Sequence, residues 1–308
     1  MRKVTVLLST YNGEKYLRKQ IDSLLTQKNV DIFILIRDDG STDRTVEILK
    51  EYKNSGRVEY YAGENVGYGK SFLNLTLKVK EFNMNSDYYA FCDQDDIWEE
   101  EKTYKAIEKL EVFPEDKPNL YFSNLNYVND EGEFLKQKDY SEMKISLGSS
   151  FVRHRVAGCT MVFNRKLLFF SNIVNLEDCN KKVEHDSWIY KLCISLGGNI
   201  IFDDKSYIKY RQHDDNVTGL NQGILKRISK EIKPKFLTDR HNRRETAKLI
   251  LKNYNDYIPN GNKEILNELA YYDQNFKSSL NLLKNKNVRS GVLLFDFMLI
   301  IDILLRTL

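Results

Sequence analysis

The acidic segment Asp93-Gln94-Asp95-Asp96 directly follows the hydrophobic run YYAFC, which has the composition of a buried strand. Three carboxylates within four residues repel one another, so such a cluster is normally stabilised by a cation or by a hydrogen-bond network. Oxygen ligands of this kind suit Mg²⁺ or Mn²⁺, which usually also contact substrate phosphates. The alternative is that these acids begin a helix at DIWEEEK, where negative charge complements the helix dipole.

Two further polar segments carry groups suited to catalysis or binding. EHDSWIYKL (184–192) places two acids and a histidine at the predicted start of a helix, where Asp186, taken alone, is predicted to be a helix N-cap. Further along, YRQHDDNVTG (210–219) brings Arg211 and His213 together after a strand-like segment. His213 stands in a polar loop, as either a ligand or a structural residue.

The elements that must position these segments alternate between strand and helix signals over the first 125 residues. Short hydrophobic runs such as VTVLLS alternate with amphipathic stretches such as GEKYLRKQIDSLLTQ. This order predicts an α/β fold with a mainly parallel central sheet and helices on both faces. Ligands bind such sheets beyond the carboxyl ends of the strands. Four segments should therefore converge on one crevice: 9–12, 38–41, 63–70 and 93–96.

The composition limits the class of protein. The chain has 308 residues and a formal net charge of +3, which gives no indication of nucleic-acid binding. An apolar fraction of 42% is sufficient for a folded core. The four cysteines form no C-x-x-C pair, and Met1-Arg2-Lys3 leads straight into a strand-like run with no signal peptide before it. These features predict a cytoplasmic protein with free thiols.

Two common phosphate-binding motifs are excluded. GYGKS (67–71) resembles the end of a P-loop, but Glu64 stands where the motif requires glycine. The turn after the first strand, STYNGEKYL, contains no G-x-G-x-x-G. A P-loop nucleoside triphosphatase and an NAD-binding Rossmann enzyme are therefore disfavoured. The same turn lacks the Gly-rich, basic loop of a sugar nucleotidyltransferase.

The C-terminal region differs from the rest in charge and hydropathy. Residues 222–252 contain ten Lys or Arg against three acids, a net charge of +7. Such a block is either a surface for phosphate or anionic lipid or a solvated helix face. The last 18 residues include 13 apolar ones, interrupted by Asp296 and Asp302. They are too short for a membrane span and predict a helix that packs in the core or a dimer, or lies at a membrane interface.

Four motifs in order resemble the family-2 inverting glycosyltransferases, whose nucleotide-sugar-binding fold is called GT-A: VTVLLSTYNGEKYLRKQIDSLL, IRDDGSTDRT, DQDDIW and EHDSW. Together with the later RQHDDNVTG they are most similar to the rhamnosyltransferase-like branch, which builds bacterial cell-wall polysaccharides, capsules and O-antigens. The resemblance implies a GT-A-like catalytic domain, a sandwich of Rossmann type, at residues 1–220. The helical region 221–308 matches no family motif and is expected to contact the acceptor, a membrane or another subunit.

The resemblance also implies roles for individual residues. Asp186 would be the general base that deprotonates the acceptor hydroxyl. A divalent cation, Mn²⁺ or Mg²⁺, would be held by Asp93, Asp95 and His213. The residues expected at the nucleotide sugar are Thr10 and Tyr11 in the base pocket, Asp39 at the pyrimidine imide, Asn65 and Lys70 in the loop that follows, Asp93, and Arg211 near the diphosphate.

These roles predict a metal-dependent hexosyltransferase that moves a sugar, with inversion, from a nucleotide donor to a hydroxyl of a glycan or lipid-linked acceptor. The favoured donor is dTDP-L-rhamnose, and a UDP-galactosyl- or UDP-glucosyltransferase is the alternative of the same class. The other alternative is a catalytically silent nucleotide-sugar-binding protein, against which the complete set of acidic positions argues. The C-terminal region allows peripheral contact with the anionic inner face of the cell membrane, or a homodimer.

Overall fold

A nine-stranded sheet lies at the centre of the computed structural model, which describes residues 1–174, 184–213 and 242–308. Its strands are β1 (Arg2–Thr10), β2 (Val30–Asp38), β3 (Val58–Ala62), β4 (Tyr88–Cys92), β5 (Ile97–Trp98), β6 (Asn119–Val128), β7 (Phe134–Lys138), β8 (Val162–Asn164) and β9 (Asn199–Arg211). The α-helices within these ranges are α1 (Leu17–Leu25), α2 (Thr45–Lys53), α3 (Tyr68–Lys78), α4 (Lys102–Leu110), α5 (Leu147–Val152), α6 (Arg165–Ser171), α7 (His185–Ser195), α8 (Asn242–Tyr254), α9 (Asn260–Tyr271), α10 (Phe276–Lys284) and α11 (Leu293–Leu304).

The strand order is β3-β2-β1-β4-β8-β6-β9-β5, with β7 paired to β6. Strands β3, β2, β1 and β4 are parallel, as strand–helix–strand crossovers require. Strand β8 lies antiparallel between β4 and β6, and β9 then runs parallel to β6. The predicted α/β fold with a mainly parallel sheet is therefore confirmed, and its second half is mixed.

The hydrophobic core has two layers, one on each face of the sheet. Along β1, Val4, Val6 and Leu8 belong to the layer under α1, α2 and α4, while Leu7 belongs to the other layer. This alternation follows from the two-residue period of a strand. The second layer contains residues of α3, α6 and α7 and continues into the C-terminal helices α8 to α11. The C-terminal helices therefore share a core with α3, α6 and α7.

Several predicted elements differ from the observed ones. The helix expected to begin at DIWEEEK begins instead at Lys102, because Ile97 and Trp98 pair with β9 as the short strand β5. Asp96 thus precedes a strand, and the interpretation of these acids as a helix N-terminus was wrong. The polar segment 126–156 contains the end of β6, the strand β7 that pairs with it antiparallel, and the helix α5. Residues 222–241 of the basic stretch and the proposed boundary at residue 220 lie outside the described residues.

The apolar C-terminal segment forms α11, which packs one side into the core. Phe295, Met298, Leu299 and Ile303 are buried there. The prediction of a packing helix is confirmed for this side of α11. Among the described helices, none combines the length and the apolar character that crossing a membrane requires.

Candidate active site

A cleft of about 720 Å³ opens beyond the carboxyl ends of β1 and β4. Its walls include residues of the β1 turn, the acidic segment, α3, the start of α7 and the end of β9, namely Ser9, Tyr11, Asp93, Gln94, Asp95, Tyr68, Phe72, Glu184, His185, Asp186 and His213. The cleft thus lies where the sheet topology predicts a ligand. Asn65 and Lys70 are exposed and do not belong to its walls, although Tyr68 from the same segment does.

Gln94 joins the β1 turn to the acidic segment. Thr10 Oγ1 donates to Gln94 Oε1 over 2.7 Å, and the Tyr11 backbone N–H donates to the same oxygen over 2.9 Å. Gln94 Nε2 returns a hydrogen bond to the Tyr11 carbonyl. A Cβ at Gly13 would lie 2.5 Å from Gln94 Oε1, so this turn requires glycine. No sequence motif indicates a role for Gln94, which stands between two acids.

Asp39 lies buried at the end of β2, beneath the loop that precedes α3. Its carboxylate pairs with Arg37 and accepts hydrogen bonds from the backbone N–H groups of Val66 (3.0 Å) and Gly67 (2.9 Å). Asn65 Oδ1 also accepts from the Gly67 N–H, and Gly67 has a positive φ that favours glycine. An ionised carboxylate has about four acceptor positions. One position is left for another donor, such as an imide N–H.

Asp95 and His213 form a pair at one side of the acidic segment. His213 Nε2 lies 2.7 Å from Asp95 Oδ2, and the imidazole stacks on the Tyr16 ring at a centroid distance of 5.2 Å. Arg211 is buried behind this pair, where its Nε donates to the Asp95 carbonyl over 3.0 Å. In this structure the Arg211 guanidinium therefore fixes the backbone of the acidic segment, and it is not part of the cleft wall.

Asp93, Asp96 and Cys159 form a second group, with one ligand atom from each lying within 4.8 Å of the other two. Asp96 is fully buried, and neither of its carboxylate oxygens has a hydrogen-bond partner among the described residues. Burial and the nearby charge of Asp95 raise the pKa of Asp93 to about 7. Unpartnered buried carboxylates need a positive charge, so this donor set fits a divalent cation. The three predicted ligands are divided between the two groups. Asp93 belongs to this group, and Asp95 and His213 belong to the other.

Lys102 brings a fixed positive charge behind the acidic segment. Its side chain is fully buried, and Nζ lies 3.4 Å from the centroid of the Trp98 ring, a cation–π contact. Burial lowers the pKa of Lys102 to about 8, opposed by the thiols of Cys159 and Cys92 and by Asp96. Sequence reasoning missed Lys102, which stands among exposed charges in WEEEKTYK.

Asp186 lies in the first turn of α7, at the cleft wall. Glu184 occupies the N-cap position, and Asp186 Oδ1 accepts a hydrogen bond from the Ser187 N–H, so the N-cap interpretation of Asp186 was wrong. His154 Nε2 lies 3.8 Å from Asp186 Oδ2. Burial alone would raise the pKa of Asp186, but the neighbouring His154 and His185 outweigh it and hold that pKa well below its usual range. The carboxylate is therefore ionised and ready to accept a proton.

The His185 side chain packs mainly against residues of the core. Its ring stacks on Phe72 at 4.0 Å and meets the edge of Phe91 at 4.7 Å. A Cβ at Gly158 would lie 2.4 Å from His185 Nε2, so the backbone approaches the ring closely. Burial lowers the pKa of His185, and the charges of Asp186 and Glu184 oppose this shift. His154, which no motif marks, is the histidine that faces the Asp186 carboxylate.

The wall of the cleft carries charges of both signs. The turn after β4 and the start of α7 carry Asp93, Asp95, Glu184 and Asp186, whereas β7, the segment after α5, the middle of α7 and the start of α8, together called the far end, carry four cations, namely Lys138, Arg155, Lys191 and Arg243. Asp302 is the one acid at that end among the described wall residues, and it pairs with Arg243 over 2.7 Å. No described residue forms a hydrogen bond or ion pair with Arg155. The far end is therefore suited to an anionic group.

A mostly parallel sheet of this order, with an acidic segment at the end of its central strand β4, defines a GT-A glycosyltransferase. The chain belongs to glycosyl transferase family 2, whose sequence profile matches residues 5–168, more than half of its length. It is 34% identical to the dTDP-rhamnosyl transferase RfbG of Shigella flexneri over 223 residues, which cover 70% of this chain and 74% of that protein. The resemblance to family 2 and to its rhamnosyltransferase-like members is thereby confirmed.

Solved structures share the fold at low sequence identity. S. aureus TarS, residues 1–349, in complex with UDP-GlcNAc is 19% identical, with a TM-score of 0.57 over 92% of this chain and 76% of that chain. The mannosyltransferase PcManGT from Pyrobaculum calidifontis, in complex with GDP-Man and Mn²⁺, is 16% identical, with a TM-score of 0.50 over 98% of this chain and 79% of that chain. At these identities the likeness supports the GT-A fold alone.

Proposed function

We propose that this protein transfers L-rhamnose from dTDP-L-rhamnose, with inversion, to a hydroxyl of a lipid-linked or polysaccharide acceptor in cell-surface glycan synthesis. The observation that carries the proposal is the position of an ionised Asp186 in the same cleft as Asp93 and Asp95. The donor assignment is supported by the similarity to RfbG, a dTDP-rhamnosyl transferase.

Asp186 accepts the proton of the acceptor hydroxyl as that oxygen attacks the anomeric carbon from the face opposite the diphosphate. One displacement of this kind inverts the configuration. The proton moves to Asp186 as the new C–O bond makes the hydroxyl group strongly acidic. His154 lies beside the carboxylate and helps to keep its pKa low before the reaction.

The donor lies against the residues at the ends of β1, β2 and β4. The nucleotide contacts Thr10, Tyr11, Asp39 and Asp93, and Asn65 and Lys70 reach it from the exposed loop before and at the start of α3. Arg211 acts indirectly, by holding the backbone of the acidic segment. Asp93, Asp95 and His213 would hold Mn²⁺ or Mg²⁺, with Asp96 and Cys159 adjoining. Such a cation, when bound, neutralises the charge that develops on the diphosphate leaving group. Gln94 holds the β1 turn, which contacts the nucleobase, against the acidic segment.

The acceptor occupies the basic far end of the cleft. A lipid-linked acceptor carries phosphate next to its sugar, and Arg155 with Lys191 supplies the charge to bind it. Residues 1–220 form the catalytic domain in this proposal, and residues 221–308 complete the acceptor side. The protein acts in the cytoplasm at the inner face of the cell membrane, where such acceptors are found.

The second candidate is a transferase for a UDP-hexose, such as UDP-glucose or UDP-galactose. It is favoured by the likeness to TarS, which was solved with UDP and with UDP-GlcNAc. Both candidates use the same base and the same acidic segment. They differ in the nucleobase and sugar, which the β1 turn and the Asp39 loop contact.

A donor screen tests the proposal. Calorimetry with dTDP-, UDP- and GDP-sugars in the presence of Mn²⁺ is expected to give the tightest binding for dTDP-L-rhamnose. Slow hydrolysis of that donor, without acceptor, should accompany binding. Tight binding and hydrolysis of a UDP-hexose alone would assign the second candidate. Absence of hydrolysis and transfer with every donor would indicate a catalytically silent binding protein.

A further inference from the structure

Helix α11 presents an apolar face to solvent. The face consists of Leu293, Leu294, Phe297, Leu304 and Leu305, and these side chains are 88%, 43%, 60%, 65% and 62% exposed. At 3.6 residues per turn, all five lie within an arc of about 120° of the helix. The opposite side of α11 is buried in the core. Five large exposed side chains on one helix side are too contiguous to be scattered surface hydrophobics.

The charged side chains around this face have one sign. Between Phe276 and Leu308, every exposed charged residue is a cation: Lys277, Lys284, Lys286 and Arg306. The two acids of that segment are directed inward. Asp296 accepts hydrogen bonds from the Ser290 hydroxyl and the Gly291 N–H, and Asp302 pairs with Arg243. Within this segment, the cations that accompany the α11 apolar face are therefore not balanced by any exposed acid.

We propose that the α11 apolar face is a docking surface for a membrane that contains anionic lipid. Leucine and phenylalanine side chains would enter the region between headgroups and acyl chains, while the lysines contact lipid phosphates. A second copy of this chain fits less well, because two such faces would bring their cations together. This inference goes beyond the proposed reaction and does not depend on which donor the cleft accepts.

The inner side of the same helical segment reaches the cleft. Asp302, Thr307 and Leu308 belong to the wall of its basic far end. Docking through the outer side would therefore place that end of the cleft close to the membrane surface. An acceptor anchored in the bilayer by a lipid could then present its phosphate and sugar without leaving the membrane.

Vesicle flotation with the full chain tests this inference. Vesicles of phosphatidylcholine alone are compared with vesicles of equal parts phosphatidylcholine and phosphatidylglycerol. We expect the protein to float with the anionic vesicles and to be released as salt concentration rises. The double variant Phe297→Gln/Leu304→Gln should abolish flotation. The variant Lys284→Gln/Lys286→Gln removes two cations that lie outside α11. It should lower the partition coefficient by about 5-fold for each lysine.

Matched controls make the same chemical changes elsewhere. Phe134→Gln alters a 63%-exposed phenylalanine on β7, and Lys19→Gln/Lys50→Gln removes two exposed charges from α1 and α2. Both controls should float like the wild type, and all variants should keep their donor affinity and melting temperature. Equal flotation with neutral and anionic vesicles, or full flotation of the Phe297→Gln/Leu304→Gln variant, would overturn the inference. So would a homodimer that this variant dissociates, as measured by light scattering.

Discussion

His154 Nε2 lies 3.8 Å from Asp186 Oδ2, close enough for its charge to act on the carboxylate and too far for a direct hydrogen bond. Asp186 is on the first turn of α7, and His154 is in the irregular segment after α5. The proposed base and the histidine beside it thus come from two separate parts of the chain. Several measurable consequences depend on this arrangement.

Asp186→Asn should lower kcat by roughly 10²–10⁴-fold, because the amide keeps the shape of the carboxyl group but cannot accept the proton. Donor affinity, measured by calorimetry, and the melting temperature should be unchanged, since Asp186 does not cap α7. Near-normal turnover of the variant would move the base to Glu184 or to the acidic pair Asp214-Asp215, which lies outside the described residues.

His154→Gln should shift the pH profile of kcat/KM. The charge of His154 helps to hold the pKa of Asp186 down, so its removal raises that pKa. Activity below neutral pH should then fall at a higher pH than in the wild type, while the alkaline limb stays in place. An acid limb that does not move would show that His154 has no electrostatic effect on the base.

The metal site should make stability depend on pH in a defined direction. In the cation-free protein the pKa of Asp93 is raised to about 7, above its unfolded value, so the folded state binds more protons than the unfolded state. The free energy of unfolding therefore falls as pH rises through this range. Bound Mn²⁺ should restore the lost free energy of unfolding. The gain in melting temperature on adding Mn²⁺ should therefore be larger above pH 7 than below.

Two comparisons check the metal prediction. Asp93→Asn should lose most of the Mn²⁺-dependent gain and its pH dependence, because the amide does not ionise. EDTA should abolish sugar transfer by the wild type. Undiminished transfer in excess chelator would rule out a catalytic cation at this site.

Gly13→Ala should loosen the donor site. The added methyl group would lie 2.5 Å from Gln94 Oε1 and would displace the amide that ties the β1 turn to the acidic segment. We expect a loss of roughly 1–3 kcal/mol in the free energy of unfolding and weaker donor binding. Gly261→Ala is the matched control, because a Cβ there meets no atom within 4 Å. Equal donor affinity of the two variants would contradict the role given to Gln94.

Arg155→Gln should raise KM for a phosphate-bearing acceptor by about 10-fold or more, the value of a charge-assisted hydrogen bond. Donor affinity and the hydrolysis rate without acceptor should not change. The same substitution at exposed Lys19 is the control. If KM for the acceptor is unaffected, the phosphate does not bind at this end of the cleft.

The sequence predicted the sheet and the acidic segment well, because both depend on local patterns. Hydrophobic runs define β1, β2 and β4, and the position of an acidic cluster directly after β4 places it at the crevice. Asp186 was found in the same way, from a polar helix start with a family motif. These features need no knowledge of distant contacts.

Other features depend on contacts that no local pattern reveals. His154 lies in a segment without a motif, and only the fold brings it to α7. Lys102 looks like a solvated lysine until β5 pairs with β9 and buries it. Likewise, the sequence suggested one ligand group of Asp93, Asp95 and His213. The structure pairs Asp95 with His213 and also places Asp96 and Cys159 beside Asp93, which the sequence did not indicate.

The short strand β5 has a consequence for protein engineering. Residues 93–96 are held between β4 on one side and β5 on the other, both parts of the same sheet. A loop anchored at both ends keeps its path when only the side chains that face the cleft change. Libraries confined to Asp93 and Asp95, with Gln94 and the buried Asp96 kept, would therefore retune cation preference and leaving-group tolerance in variants that still fold.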